Sequence, residues 1–144
     1  MDIVRMELCH AEQVAQLEIQ CFSDPWSIQS IRSEISNPLS LWLAAVEGDM
    51  VLGYIGSQSV LGEADMMNLA VSEDHRRQGI AQALVQALME QLKQKDVYRL
   101  TLEVRVSNGS AISLYEKLGF RQIGRRPNYY HHPKEDALIL GKEL

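Results

Sequence analysis

At 144 residues, with 46% hydrophobic and 23% charged residues, the chain has the size and composition of one globular domain with one core, residues 1–144. No apolar run approaches the roughly 18 residues that a membrane span needs, and no basic segment followed by an apolar one marks a signal peptide, so we expect no membrane partner. The net charge of −5 disfavours direct nucleic-acid binding, which usually needs a basic face. Cys9 and Cys21 lack metal-ligand spacing, so we expect two free thiols in a reducing cytoplasm and no metal.

The first half of the chain predicts two short helices and four strands. Apolar residues at helical spacing predict a helix over 11–20, and Ser27 is placed to cap a second helix that ends before Asn37-Pro38. Turn signals at 48–49 and 62–63 separate apolar, strand-like stretches. The predicted strands are 3–6, 41–46, 51–60 and the stretch that ends at Val71.

The second half predicts two more helices and three more strands. Apolar residues recur every fourth position from Ile80 to Leu92, which indicates a long helix. Asn108 is placed to cap a shorter helix, and Gly119 to end it in a left-handed conformation. The remaining strands are predicted at 99–104, 120–124 and 137–140. The order β-α-α-β-β-β-α-β-α-β-β predicts an α/β (α+β) fold with a mixed, mostly antiparallel sheet flanked by helices.

The most informative segment is 76–81, Arg-Arg-Gln-Gly-Ile-Ala, between a predicted strand and the long helix. Free backbone N–H groups at the positive end of a helix dipole suit phosphate oxygens. The alternative is a tight turn whose glycine serves only the backbone, and the segment alone does not separate the two. A Walker loop is excluded because no Lys-Ser/Thr pair follows Gly79, and a dinucleotide fingerprint would need three glycines.

The spacing Arg-x-x-Gly-x-Gly/Ala, at Arg76, Gly79 and Ala81, resembles the pyrophosphate loop of the GCN5-related N-acetyltransferases (GNAT), which bind acetyl-coenzyme A (acetyl-CoA). Further motifs follow in the order of that family and resemble its RimI subfamily, which acetylates the N-terminal alanine of a ribosomal protein. Asp24 and Val106 depart from the subfamily pattern. The matching stretches are 25–27, 102–105, 107–108, 111, 114–115, 119–120, 126–130 and 135–137.

The resemblance implies a GNAT-type domain in which splayed central strands hold acetyl-CoA as a co-substrate. Main-chain groups at the end of one strand would pair with the pantetheine arm, the loop would wrap the pyrophosphate, and Asn108 would both cap its helix and touch the pantetheine. The implied cofactor-binding residues are Leu69, Ala70, Val71, Arg77, Gln78, Gly79, Ile80, Ala81, Gln82 and Asn108.

Two residues are candidates for proton transfer. Glu103 is either a general base or a strand carboxylate paired with Arg105 or Arg99, and the family pattern favours the base. Tyr115 is either the aromatic residue of an apolar helix face or a general acid that protonates the leaving thiolate. The Leu-Tyr and Gly-Phe motifs around Tyr115 match the family and imply the acid.

We expect a monomer, and the subfamily resemblance implies that it acts on the N-terminal peptide of a small-subunit ribosomal protein. Other protein N-termini, lysines, small amines such as polyamines, or a non-catalytic acetyl-CoA-binding module are the alternatives. For His131 and His132, a solvated loop is favoured over a metal site, because no cysteine or patterned carboxylate accompanies them. For Trp26, Tyr129 and Tyr130, lining a peptide slot and simple packing both remain open.

Overall fold

Seven strands form one continuous sheet in the computed structural model, which describes all 144 residues. The strands are β1 Asp2–Arg5, β2 Ser40–Glu47, β3 Met50–Val60, β4 Glu63–Val71, β5 Arg99–Arg105, β6 Arg121–His131 and β7 Lys134–Glu143. Their spatial order is β1-β2-β3-β4-β5-β7-β6, and every neighbouring pair is antiparallel except β4 and β5. This is the mixed, mostly antiparallel sheet that the sequence predicted.

Four helices connect the strands in the predicted order. They are α1 Ala11–Cys21, α2 Ile28–Ile35, α3 Ile80–Gln94 and α4 Gly109–Lys117, with 3-10 turns at Leu8–His10 and Glu73–His75. The Ser27 hydroxyl accepts the Ser30 amide at 3.1 Å, and Asn108 Oδ1 accepts the Ala111 amide at 3.2 Å, so both predicted caps form. Gly119 has the left-handed φ of +96° that ends α4.

The helices cover both faces of the sheet. On one face, Leu84 and Leu88 of α3 are fully buried in a cluster that includes Ile55 of β3. On the other face, Val14 of α1 packs in a second cluster that includes Tyr54. Successive residues of β3 therefore enter different cores, as the period of two in a strand requires. Each fully buried aliphatic side chain contributes about 1.5–3 kcal/mol.

Strands β4 and β5 separate soon after they begin. Their parallel pairing covers only Glu63–Arg99, Ala64–Leu100 and Asp65–Thr101. Beyond that point β4 stays paired with β3, and β5 with β7, so the two strands leave a gap in the middle of the sheet. The splayed central strands that the family resemblance implied are therefore present.

The last two strands are longer than the sequence predicted. β6 runs to His131 and β7 begins at Lys134, whereas the pattern predicted only 120–124 and 137–140. The register of β6 shifts twice, between Gln122 and Gly124 and between Arg126 and Tyr130. The second of these irregularities spans Pro127 and Asn128, whose φ is positive, within an edge strand, and it interrupts the alternation that reveals strands in a sequence.

Candidate active site

The gap between β4 and β5 opens into a cavity of about 610 Å³. Its walls come from the segment between α1 and α2, from β4 and β5, from α4, and from the hairpin of β6 and β7. Four of the residues predicted for the site line it, namely Leu69, Glu103, Asn108 and Tyr115. These residues are up to 46 positions apart in the chain, and the sheet topology brings them together.

Glu103 and Tyr115 reach the cavity from opposite faces of the sheet. Leu102 and Val104, the neighbours of Glu103 in β5, belong to the core cluster under α3, so the carboxylate projects from the other face. Tyr115 belongs to that same cluster and approaches from α4. The gap between the strands is what lets both side chains line one cavity.

The carboxylate of Glu103 is paired, but with neither arginine that the sequence suggested. Arg126 Nε lies 3.4 Å from Glu103 Oε1, and the exposed fractions of the two side chains are 56% and 28%. Arg99 instead pairs with glutamates at the far end of the sheet, and Arg105 pairs with Glu135. Because β7 lies between β5 and β6, Arg126 reaches across it to Glu103. Arg126 is largely exposed, and Glu103 lines the cavity.

The hydroxyl of Tyr115 is buried and weakly bonded. The residue is 6% exposed, and its ring packs edge-on against Phe120 with centroids 5.5 Å apart. The hydroxyl donates to the Met66 sulfur at 3.6 Å, a weak acceptor and its one hydrogen-bond partner in the protein. Burial, with a smaller effect of Tyr130, raises the pKa of Tyr115 well above its usual range. The side chain is therefore a protonated donor at neutral pH.

Asn108 caps α4 and also lines the cavity. Its Oδ1 accepts from the Ala111 amide and, at 3.3 Å, from the Ser110 hydroxyl, while the residue also lines the cavity. Its side-chain NH₂ group makes no hydrogen bond within the protein and is available to a ligand.

Leu69 lines the cavity, whereas Ala70 and Val71 do not. All three pair with β3, and beyond Asp65 no residue of β4 pairs with β5. Ala70 is buried in the cluster under α1 and α2, and the Val71 carbonyl accepts from Arg76 Nε at 3.3 Å. The side chains of Ala70 and Val71 therefore pack within the protein. The main chain of 69–71 is unpaired on the side of β4 that faces β5.

The predicted pyrophosphate loop lies outside the cavity, where β4 leads into α3. Gly79 precedes α3 with a φ of +78°, and Arg77 also has a positive φ, of +63°. No side chain caps α3, so the first amides of this 15-residue helix are free at its positive end. They include those of Ile80, Ala81 and Gln82, while Gln78 belongs to the turn before Gly79.

Arg76, which opens the motif, contacts the Val71 carbonyl and, at 3.6 Å, the Cys21 sulfur, and so holds the loop against α1.

The aromatic residues that the sequence left undecided line the cavity. Trp26, Tyr129 and Tyr130 all contribute to its wall. The Arg105 guanidinium lies 4.1 Å from the centre of the Tyr130 ring, and burial, followed by Tyr129, raises the pKa of Tyr130 to about 12. Tyr130 is therefore a second protonated hydroxyl at this site.

The two adjacent histidines play different parts. His132 lines the cavity, and its carbonyl accepts the Ser23 hydroxyl at 2.8 Å, which joins the segment before α2 to the β6–β7 hairpin. His131 pairs with Lys134 in that hairpin. Nowhere do three His, Cys, Asp or Glu side chains gather as a metal site would require. None of the four helices combines the length and apolar character of a membrane span.

Sequence reasoning missed one buried residue beside the site, Glu18 of α1. It is 1% exposed and accepts hydrogen bonds from Trp26, Tyr54 and Asn68. The available signal was its position: Glu18 lies one helical turn after Val14, on the apolar face of α1.

Comparisons with known proteins agree with this geometry. Residues 11–120 match the model of the acetyltransferase (GNAT) family. The chain is 37% identical to a putative [ribosomal protein bS18]-alanine N-acetyltransferase of Bacillus subtilis, with 94% of this chain and 90% of the relative covered. It is 36% identical to the [ribosomal protein bS18]-alanine N-acetyltransferase of Haemophilus influenzae, with 96% and 95% covered.

Solved structures give the same result. The crystal structure of the ribosomal-protein-S18-alanine N-acetyltransferase from Escherichia coli superposes with a TM-score of 0.91 at 33% identity, covering 99% of this chain and 92% of that one. The crystal structure of Arabidopsis thaliana NAA60 in complex with acetyl-CoA has a TM-score of 0.91 at 19% identity, covering 99% of this chain and 98% of that one, which is a likeness of fold. On the family match and these identities, the chain belongs to the acetyltransferase (GNAT) family.

Proposed function

We propose that this protein transfers the acetyl group of acetyl-CoA directly to the N-terminal amine of an alanine, in ribosomal protein bS18. The observation that carries the proposal is the placement of Glu103 and Tyr115 in one cavity between splayed strands. The acceptor is supported by the names of relatives that are 36–37% identical over nearly the whole chain.

The residues of the gap fit acetyl-CoA in two ways. Beyond Asp65, β4 lacks a partner on the β5 side, so an extended pantetheine arm can pair with it as an added strand, along 69–71. The uncapped start of α3 offers free amides to the pyrophosphate, at residues 77–82. Asn108 supplies a further donor from the wall of α4. When bound, the co-substrate supplies an activated acetyl thioester.

Glu103 and Tyr115 then act on the two protons of the reaction. The acceptor amine must lose a proton to attack, and Glu103 takes it, directly or through a water molecule. Coenzyme A leaves as a thiolate, and the protonated Tyr115 hydroxyl donates a hydrogen bond and then a proton to that sulfur. No acyl-enzyme is involved in this scheme.

An α-amine suits this site better than a lysine does. With a pKa of about 8, roughly 10% of α-amines are neutral at pH 7, against well under about 0.1% of lysine amines with a pKa of about 10.4.

The experiment is release of the coenzyme A thiol with matched peptides. One peptide carries the N-terminal sequence of bS18, beginning with alanine, and the other is the same peptide with a blocked N-terminus and an internal lysine. We expect turnover with the first alone. Equal turnover with both would remove α-amine selectivity, and acetyl-CoA binding by calorimetry without any turnover would identify a non-catalytic binding module.

A further inference from the structure

Glu18 is the most deeply buried carboxylate of the molecule. It is 1% exposed, and no Lys, Arg or His nitrogen lies within 4 Å of it. Burial raises the pKa of Glu18 above its usual range, against the opposing effects of its hydrogen bonds to Tyr54, Trp26 and Asn68. A carboxylate buried without a cation is costly, and the proton-transfer scheme does not use it. Its role has to be sought in its partners.

Three hydrogen-bond donors from three different elements converge on Glu18. The Trp26 amide, from the segment between α1 and α2, donates to Oε1 at 2.9 Å. The Tyr54 hydroxyl of β3 donates to Oε2. The Asn68 side-chain NH₂ of β4 lies 3.0 Å from both oxygens. The carboxylate therefore joins α1 to a loop and to two strands.

A bulge in β4 turns Asn68 toward Glu18. The register between β3 and β4 shifts so that Gly56 faces Asn68 and Ser57 faces Met66, which leaves Met67 as the extra residue. Before the bulge, Met66 points into the cluster under α3; after it, Asn68 and Ala70 point to the face that α1 covers. Without the extra residue, Asn68 would face away from Glu18.

Two of the three partners of Glu18 also line the cavity. Trp26 belongs to the segment 22–27, and Asn68 lies next to Leu69, on the strand proposed to hold the pantetheine. Glu18 itself does not line the cavity. The carboxylate of Glu18 therefore acts on the cavity through the residues that it binds, of which Trp26 and Asn68 line the wall.

We propose that Glu18 is a positioning residue, which holds the segment 22–27 against β4 and so sets the width of the acceptor side of the cavity. The inference rests on the proposed function, because it assigns the segment to the acceptor. The segment has one other tie across the cavity, from the Ser23 hydroxyl to the His132 carbonyl. Without the Glu18 carboxylate, the Trp26 amide loses its acceptor, and the segment keeps the Ser23 bond, the bond from the Phe22 amide to the Glu18 carbonyl and the packing of Trp26 on Trp42.

Glu18→Gln tests this with minimal change of shape. An amide has one oxygen, and its NH₂ group would face the NH₂ of Asn68, so it cannot accept from all three donors. We expect the KM for the peptide to rise about tenfold. The Kd for acetyl-CoA should change less than threefold, because β4 keeps its pairing with β3.

Two further variants separate positioning from general destabilisation. The double variant Glu18→Gln with Asn68→Asp exchanges the donor and the acceptor of this hydrogen bond. It should bring the KM for the peptide most of the way back to the wild-type value. Glu34→Gln is the matched control, since Glu34 is a helix carboxylate that accepts from Ser40 and Gln58 away from the cavity. Glu34→Gln should leave the KM unchanged.

Amide hydrogen exchange at Trp26 gives a readout that does not depend on activity. The Trp26 amide donates to Glu18, so its exchange should be faster in Glu18→Gln and slower again in the double variant. The proposal is overturned if the peptide KM stays unchanged, if it rises equally in Glu34→Gln, or if Trp26 exchange does not change. If the wild-type protein acetylates no amine, the proposed function fails, and Trp26 exchange alone decides whether Glu18 holds the segment.

Discussion

Replacing Tyr115 by phenylalanine removes one hydroxyl from a buried position and changes little else. The ring keeps its edge-on contact with Phe120, and the lost hydrogen bond is the one to the Met66 sulfur, at 3.6 Å. A typical hydrogen bond contributes about 0.5–1.5 kcal/mol net, and a thioether is a weak acceptor, so the loss lies at or below the low end of that range. We therefore expect a stable, folded variant.

The effect on turnover should be much larger than the effect on stability. A positioned general acid contributes about 10²–10⁴-fold. The leaving thiol has a pKa of about 8.5 and departs fairly well without help, so the lower end applies. We expect kcat to fall about 100-fold, which corresponds to about 2.7 kcal/mol of transition-state stabilisation. The Kd for acetyl-CoA should stay within about twofold, since Tyr115 is not assigned to the pyrophosphate or the pantetheine.

Three measurements decide the assignment of Tyr115. Thiol release gives kcat, calorimetry gives the acetyl-CoA affinity, and thermal unfolding reports stability. Tyr98→Phe is the matched control: this half-exposed tyrosine packs on Gly62 and does not line the cavity. A kcat within twofold of wild type, or a fall in kcat that equals the loss of acetyl-CoA affinity, would refute the acid role of Tyr115.

Three other substitutions test separate parts of the site. Glu103→Gln cannot accept a proton and should lower kcat at pH 7 by about 10²-fold or more in the thiol-release assay, with circular dichroism unchanged. Gly79→Ala places a side chain at a φ of +78°, which costs about 1–2 kcal/mol, and it should lower both the melting temperature and, by about tenfold, the acetyl-CoA affinity in calorimetry. Hydrogen bonding to Ser107, and then Arg105, lowers the pKa of Glu135, so its contribution to stability is present above the usual glutamate pKa and is lost as the pH falls through the lowered value. The melting temperature should therefore fall less between pH 6 and pH 3 in Glu135→Gln than in wild type.

Local patterns carried the parts of this structure that the sequence predicted. The caps at Ser27 and Asn108 and the glycine turn at Gly79 depend on residues within a few positions of one another. The same holds for α3, whose apolar residues recur with the period of a helix and so form one face. The element order and the mixed, mostly antiparallel sheet followed from these signals, and the family resemblance added the splayed central strands.

The partners of the charged residues could not be predicted in the same way. Glu103 pairs with Arg126, which is 23 positions away and two strands distant in the sheet. That pairing depends on the register shift between Gln122 and Gly124 in β6, and a one-residue slip would turn the arginine to the other face. Glu18 was overlooked for a related reason: its donors lie up to 50 positions away, and one of them is aimed by a bulge that leaves no mark in the sequence.

The site follows from how little of β4 pairs with β5. Parallel pairing stops after three residues, at Asp65 and Thr101. Further pairing would bring the two strands to the usual spacing of about 4.8 Å and leave no room for an extended ligand between them. It would also close the gap through which Glu103, from one face of the sheet, and Tyr115, from the other, meet in one cavity. A single interruption of the sheet therefore accounts both for the open strand edge proposed to bind acetyl-CoA and for the encounter of the two groups proposed to move protons.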